Sequence, residues 1–349
     1  MFKLCSRVLD MHASMHAALA TLRKLPLLLP RWSPLAAAAA LLCVALLGWS
    51  TSAGGGGGMP EDAAASLLGV VMPLSSCDVD FAEDSIREAL RCAGAVAVAY
   101  ATHLSDGTPE DLSYVAALRA RLDGAAAAAG SQLLWVAIEW QPGLSSRFWV
   151  RYLRWAALPR LPPSVRAVLW LDSDEVLDAP RFRAWWAARG LAAVLHRGVP
   201  HKLANYVYFR ETRFQAVQLE DSAVLCRREG LTVSQFFDNP HAEREMFAAG
   251  ARRAVPGLDG APIMHHYSWV RSKALMLQKV RSWGHKDDAG RDWVAAVEAE
   301  FEHPFTGRDI VHGDAYSYRT VEQPWIDGLR AARKAAGAKA VVRASAAGG

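Results

Sequence analysis

From Ser66 onward, short apolar runs alternate with segments whose apolar residues recur every three or four positions. "SLLGVVMP" reads as a buried strand. "DFAEDSIREALRCAG" reads as a helix, with Phe81, Ile86 and Leu90 on one stripe and Gly94 as its stop. "AVAVAYA" predicts a second strand. "SDGTPEDLSYVAALRARLDG" predicts a loop and then a helix, capped by Thr108 with Pro109 at its first position. "QLLWVAIEW" is a third strand, "SSRFWVRYLRWAAL" a helix, and "RAVLWL" a fourth strand. Strands and helices at this pace predict an α/β fold, a mostly parallel sheet flanked by helices on both faces. Such sheets bind ligands at the carboxyl ends of their strands.

Past Pro180 the pattern changes. "RFRAWWAARG" is helical, while "KLANYVYFRE" and "AVQLEDSAVLCRRE" have strand composition and suit an antiparallel extension of the sheet. "SKALMLQKVRSWG" is an amphipathic helix, with Leu275, Met276, Leu277 and Val280 set against Lys273, Gln278, Lys279 and Arg281. "DWVAAVEAEF" predicts another helix. From 329 on, the Ala/Lys/Gly-rich composition predicts a flexible tail.

The N-terminal part follows other rules. Lys3, Arg7, Arg23, Lys24 and Arg31 precede "PLAAAAALLCVALLGWSTSA", an uncharged run over 34–53. Its length approaches that of a bilayer span, and the basic side would stay cytoplasmic. The expected organisation is a basic tail (1–33), a transmembrane signal anchor (34–53), a Gly-rich linker (54–65), a folded domain (66–328) and the tail (329–349). A cleaved signal peptide is the rival reading, since "TSA" offers a cleavage site. The anchor reading makes this a single-pass type II membrane protein with its domain in the lumen of the Golgi or another secretory compartment.

Composition changes little of this. Hydrophobic residues make up 52% of 349, enough for a sizeable core, and the net charge is +4. No Lys/Arg tract interleaved with aromatics marks the folded part, so no nucleic-acid partner is expected. Of five cysteines, Cys77, Cys92 and Cys226 would be luminal. Cys77–Cys92 pairing and buried thiols are both open readings.

The fourth strand carries the chemistry. "VLWLDSDEVLD" runs from apolar residues straight into Asp172, Asp174 and Glu175. Two aspartates one residue apart can face one ligand, and hard carboxylate oxygens suit Mg²⁺ or Mn²⁺ held together with substrate phosphates. Burial makes adjacent carboxylates costly without a cation. Two chemistries use this pattern: nucleotide-sugar glycosyl transfer, and a phosphatase class with the motif D-x-D-x-[TV]. The phosphatase reading also needs Lys286, Asp287 and Asp288 in "GHKDD". A carbohydrate-binding protein without turnover is a third possibility.

Over 67–318 the chain resembles family 2-like glycosyltransferases of the GT-A, Rossmann-like fold. The resemblance rests on "SDGTPEDL", "WLDSDEVLD" (a DXD-type metal motif), "NYVYFRE", "LEDSAVL" and "MHHYSWVRSKALMLQKVRSWGHKDD". It implies a metal-dependent, inverting transferase that moves a sugar from a nucleotide-sugar donor to a glycan, glycoprotein or glycolipid acceptor. It also implies Asp106 for the nucleotide base, and Glu220 and Asp221 as the segment holding the catalytic base. The competing reading of Glu220 and Asp221 is a structural ion pair with Arg227 or Arg228.

Further roles follow from position. Asp172 would contact ribose or metal, Asp174 the metal, and Glu175 the metal or sugar. His265 and His266 follow an apolar stretch and are candidate metal ligands. Arg271 at a helix start and Lys273 are candidates for the diphosphate. Trp269 is the aromatic best placed to stack on a sugar. Arg147, Arg151 and Arg154 share one helical face, either meeting phosphate or solvated.

Overall fold

The computed structural model describes residues 59–232, 254–284, 286 and 291–347. Within them, Leu68–Pro73 (β1), Ala95–Ala101 (β2), Gln132–Ile138 (β3) and Ala167–Trp170 (β4) are parallel strands in the order β3-β2-β1-β4. β1 and β4 are buried almost throughout, which is why their sequences show no polar alternation. The chain builds outward from β1 to β2 to β3, then returns to place β4 on the other side of β1. The strand order therefore reverses between β1 and β4, a topological switch point.

Beyond β4 the sheet becomes largely antiparallel. Glu211–Arg227 (β7) pairs antiparallel with β4 and with His201–Phe209 (β6). Met264–Trp269 (β9) runs parallel to β6, and Glu175–Leu177 (β5) closes that side antiparallel to β9. Ala254–Val255 (β8) and Tyr318–Thr320 (β10) add short pairings. The whole is a mixed α/β sheet, parallel throughout its first half and again where β6 meets β8 and β9.

Helices cover both faces of the parallel half. Val79–Cys92 (α2), Ser113–Ala129 (α3) and Ala179–Trp185 (α5) pack on one face through Ile86, Leu118 and Phe182, while Glu61–Ser66 (α1) adds Ala64. Ser146–Ala157 (α4) packs on the other face through Trp149 and Leu153. Lys273–Ser282 (α6) and Trp293–Glu300 (α7) form a separate cluster with Phe209 and Trp269.

Several expectations are corrected. α3 begins at Ser113, not Pro109. Pro109 is bridged to His103 in an extended loop, and the Asp111 carboxylate, not Thr108, accepts the Ser113 N–H at 2.9 Å. The linker is helical from Glu61, as α1. In place of a flexible tail, Trp325–Ala347 forms α8, whose Arg330 and Arg333 both pair with Asp84 at 2.7 Å. Cys77, Cys92 and Cys226 are free and buried, so Cys77 and Cys92 are not paired.

The basic segment 1–33, the anchor segment 34–53 and residues 54–58 of the linker lie outside the described residues, as do Asp287 and Asp288. Among the described residues no helix is long and apolar enough to cross a membrane.

Candidate active site

A cleft of about 240 Å³ opens where β1, β2 and β4 end, at the switch point. Its walls come from the loops after β1 and β4, from α4 and α6, and from one face of β9. Asp78, Arg154, Asp172, Asp174, His266 and Lys279 supply its charges.

The turn after β4 gives each acidic residue a different task. Glu175 is fully buried, and its Oε2 accepts the Asp172 N–H at 2.8 Å while its own N–H reaches the Asp172 carbonyl at 3.0 Å. It clasps the turn and is not among the residues that line the cleft. Asp172 accepts a hydrogen bond from Arg154 Nη2 at 2.6 Å, with its side chain 26% exposed. Asp174 is buried. Its Oδ2 receives Arg271 Nη2 at 2.6 Å and Lys279 Nζ at 3.0 Å, and His266 Nε2 lies 3.7 Å from its Oδ1. Burial alone would raise the Asp174 pKa. Lys279, Arg271 and His266 overcome that and hold it well below the usual carboxylate range.

β9 sorts the two histidines by strand alternation. His266 and Ser268 face the cleft. His265 points the other way, within hydrogen-bond reach of the Tyr208 hydroxyl at 2.8 Å and stacked on Trp325 at 4.0 Å between ring centroids. Burial pushes His265 down to about 3, so it is a neutral core imidazole. His266 is affected by burial in the same direction, but Glu220, Glu175 and Asp174 outweigh it and raise its pKa.

Behind His266 stands a second charged group. Glu220 Oε2 is 3.8 Å from His266 Nδ1, beyond hydrogen-bond reach, so the two interact as charges. Glu220 Oε1 accepts from Tyr316 at 2.8 Å and lies 3.1 Å from His312 Nε2. Asp221 turns to Lys202 at 2.9 Å. Neither carboxylate lines the cleft. They border a separate open hollow of about 530 Å³ beside Tyr316. Nor do they pair with Arg227 or Arg228. Arg227 is 3.9 Å from Glu229, and Arg228 donates to the carbonyls of Leu161 and Pro162.

The other expected site residues are elsewhere. Asp106 accepts the Thr108 N–H at 3.0 Å in a turn where Gly107 has φ +89°, so its carboxylate is spent on the loop. Lys273 is ion-paired with Glu298 of α7. Trp269 is 6% exposed and packed against Trp283, Trp293 and Met276. Arg271 is fully buried. It donates to Asp78, Asp174 and the carbonyls of Cys77 and Ser268, a structural clamp beneath the cleft.

Two charged cleft residues, Asp78 and Lys279, escape the sequence reading. Lys279 sits on the polar face of α6, but that face is turned inward. Its Nζ meets Asp174, the Ser268 hydroxyl at 2.7 Å and the Ser268 carbonyl at 3.1 Å. Arg154 and Arg151 are each 3% exposed, so this face of α4 is buried and not solvated. The period-four arginines signal a shared face, but only the folded chain shows which side it takes.

The predicted metal ligands do not converge. Asp172 is engaged by Arg154, Glu175 by backbone and His265 by the core, while Asp174 and His266 lie 3.7 Å apart. Among the described residues no group of three or more His, Cys, Asp or Glu could hold a metal ion. A dication on Asp174 would also face the two cations, Arg271 and Lys279, already on that carboxylate. The donor set therefore does not suit a carboxylate-held dication.

The sequence matches no family model and no curated protein. Among solved structures it overlaps with a glycosyltransferase involved in glycosylating the major capsid of PBCV-1. That match has 9% identity and a TM-score of 0.29, covering 68% of this chain and 99% of the other. It overlaps with the glycosyltransferase GlyE of Streptococcus pneumoniae TIGR4 at 10% identity and a TM-score of 0.31, covering 70% and 66%. Mouse xyloside xylosyltransferase 1 gives 10% identity and a TM-score of 0.22, covering 43% and 55%. Overlaps this loose leave any assignment of function to the cleft itself.

Proposed function

We propose that this chain is a glycosyltransferase that binds a nucleotide-sugar donor in the cleft at the β1/β4 switch point. The carrying observation is the cleft's position and lining. It lies at the carboxyl ends of parallel strands, where open α/β sheets take nucleotides, and it sets a partly exposed carboxylate, Asp172, beside cations. Asp172 suits ribose or sugar hydroxyls, which donate to carboxylates. The cationic side suits the diphosphate.

In the reaction, an acceptor hydroxyl oxygen bonds to the anomeric carbon as the bond from that carbon to the diphosphate oxygen breaks. The electron pair leaves with the diphosphate, and the hydroxyl proton passes to a base. The family 2 resemblance implies inversion and an acceptor of glycan, glycoprotein or glycolipid type. The uncharged run 34–53 further suggests a membrane anchor and a luminal setting, on sequence grounds alone.

The test is thermal unfolding of the full chain against a panel of nucleoside diphosphates and nucleotide sugars. A ligand at about 100 times its Kd adds roughly 2.7 kcal/mol. One nucleotide should raise the melting temperature, and Asp172→Asn should erase the shift. If no nucleotide shifts it, the reading is wrong.

A further inference from the structure

We infer that the donor's diphosphate is neutralised here by Arg154 and Lys279 of the chain itself, in the place where the DXD-like sequence predicts a dication. This rests on the transferase reading above and specifies its leaving-group site.

Three observations carry it. First, the acidic residues of the motif are already committed. Asp172 holds Arg154, Asp174 holds Lys279 and Arg271, and Glu175 holds the turn. Second, Arg154 lines the cleft, yet its Nε and Nη1 are buried with no hydrogen-bond partner among the described residues. A buried guanidinium with unused donors is costly to leave so, and a shift of the side chain toward the cleft would let an anion there satisfy it. Third, Lys279 of α6 lines the same cleft, and its third donor is spent on a serine hydroxyl. A phosphate oxygen is a stronger acceptor than that hydroxyl and can replace it without uncoupling Lys279 from Asp174. Asp172 and Asp174 thus orient the two cations and do not ligate a metal.

The reading makes an unusual demand on Asp174. In a dication site its loss abolishes diphosphate binding. Here it ligates nothing and its negative charge repels the diphosphate, so its neutralisation leaves binding intact or tighter.

The experiment titrates the full chain with inorganic pyrophosphate by calorimetry, in chelator and then with Mn²⁺ or Mg²⁺. We expect binding in chelator, altered less than about threefold by metal. Lys279→Met should weaken it about tenfold or more, the loss of one charge-assisted contact, and Lys279→Arg should restore part of it. Asp174→Asn, nearly isosteric and so the variant least apt to disturb folding, should bind at least as tightly as the parent. Binding that appears only with metal and vanishes in Asp174→Asn would overturn the inference while leaving the transferase reading standing. Absence of pyrophosphate binding under both conditions would overturn it too. The nucleotide panel, run with and without metal, decides the transferase reading separately.

Discussion

His312 Nε2 lies 3.1 Å from Glu220 Oε1, and its other ring nitrogen lies 3.1 Å from Asp309 Oδ2. Both nitrogens face carboxylates, so the ring is held as an imidazolium. Burial opposes this, but Asp309 and Glu220 prevail and raise its pKa to about 9.

A pH dependence follows. A histidine whose pKa is raised by folding stabilises the native state fully below its unfolded value near 6.5, and that contribution fades as pH climbs through about 9. Glu220 and Asp309 have lowered values, despite opposing burial, so their contribution fades in acid instead. The melting temperature should fall between pH 6.5 and 9. His312→Gln should melt lower than the parent at pH 6, with the gap closing toward pH 9.5. A constant gap across that range would contradict the ion-pair assignment.

Asp174 anchors two cations in a buried setting. Asp174→Ala leaves Arg271 and Lys279 without that partner and should cost about 3–5 kcal/mol in urea unfolding. Asp174→Asn keeps an acceptor oxygen and should cost less than half as much. Equal losses would mean that the charge, not the contact, does the holding.

Glu175 reaches no ligand in this arrangement, yet it shapes the turn that presents Asp172. Glu175→Ala leaves a buried N–H unpaired and should destabilise the chain by about 1–3 kcal/mol. Nucleotide affinity should fall with it, because Asp172 loses its fixed orientation. Unchanged affinity in a folded Glu175→Ala chain would separate the clasp from the site.

Trp269 distinguishes core from ligand platform. Trp269→Ala should cost about 3–5 kcal/mol by opening a cavity among Trp283, Trp293 and Met276. Trp269→Phe should fold and bind nucleotide like the parent. A selective loss of nucleotide-sugar binding in Trp269→Phe would return it to the site.

The parallel half was legible in the sequence because each of its strands is a continuous apolar run bounded by turn residues. The acidic turn was legible too, as a place. What each carboxylate does there was not. Lys279 is 105 positions from Asp174, and its helix reads as amphipathic with a solvated polar stripe. Only the later part of the sheet, which brings β9 and α6 to the turn after β4, turns that stripe inward. The histidine pair shows the same limit. Adjacent strand residues must point to opposite faces, but which face meets the cleft depends on the pairing of β9 with β5 and β6. Asp106 and Thr108 mislead because a capping pattern and a turn pattern share the same letters.

Arg271 ties chain segments that are remote in sequence, reaching Asp78 after β1 across 193 positions and Asp174 after β4 across 97. A nascent chain released before residue 271 therefore has both acidic loops but no clamp between them. Contacts of such long range close late, after the local helices and adjacent strands have formed. Ligand affinity would then appear all at once, near the end of folding, making nucleotide capture during refolding a clock for completion of the native state.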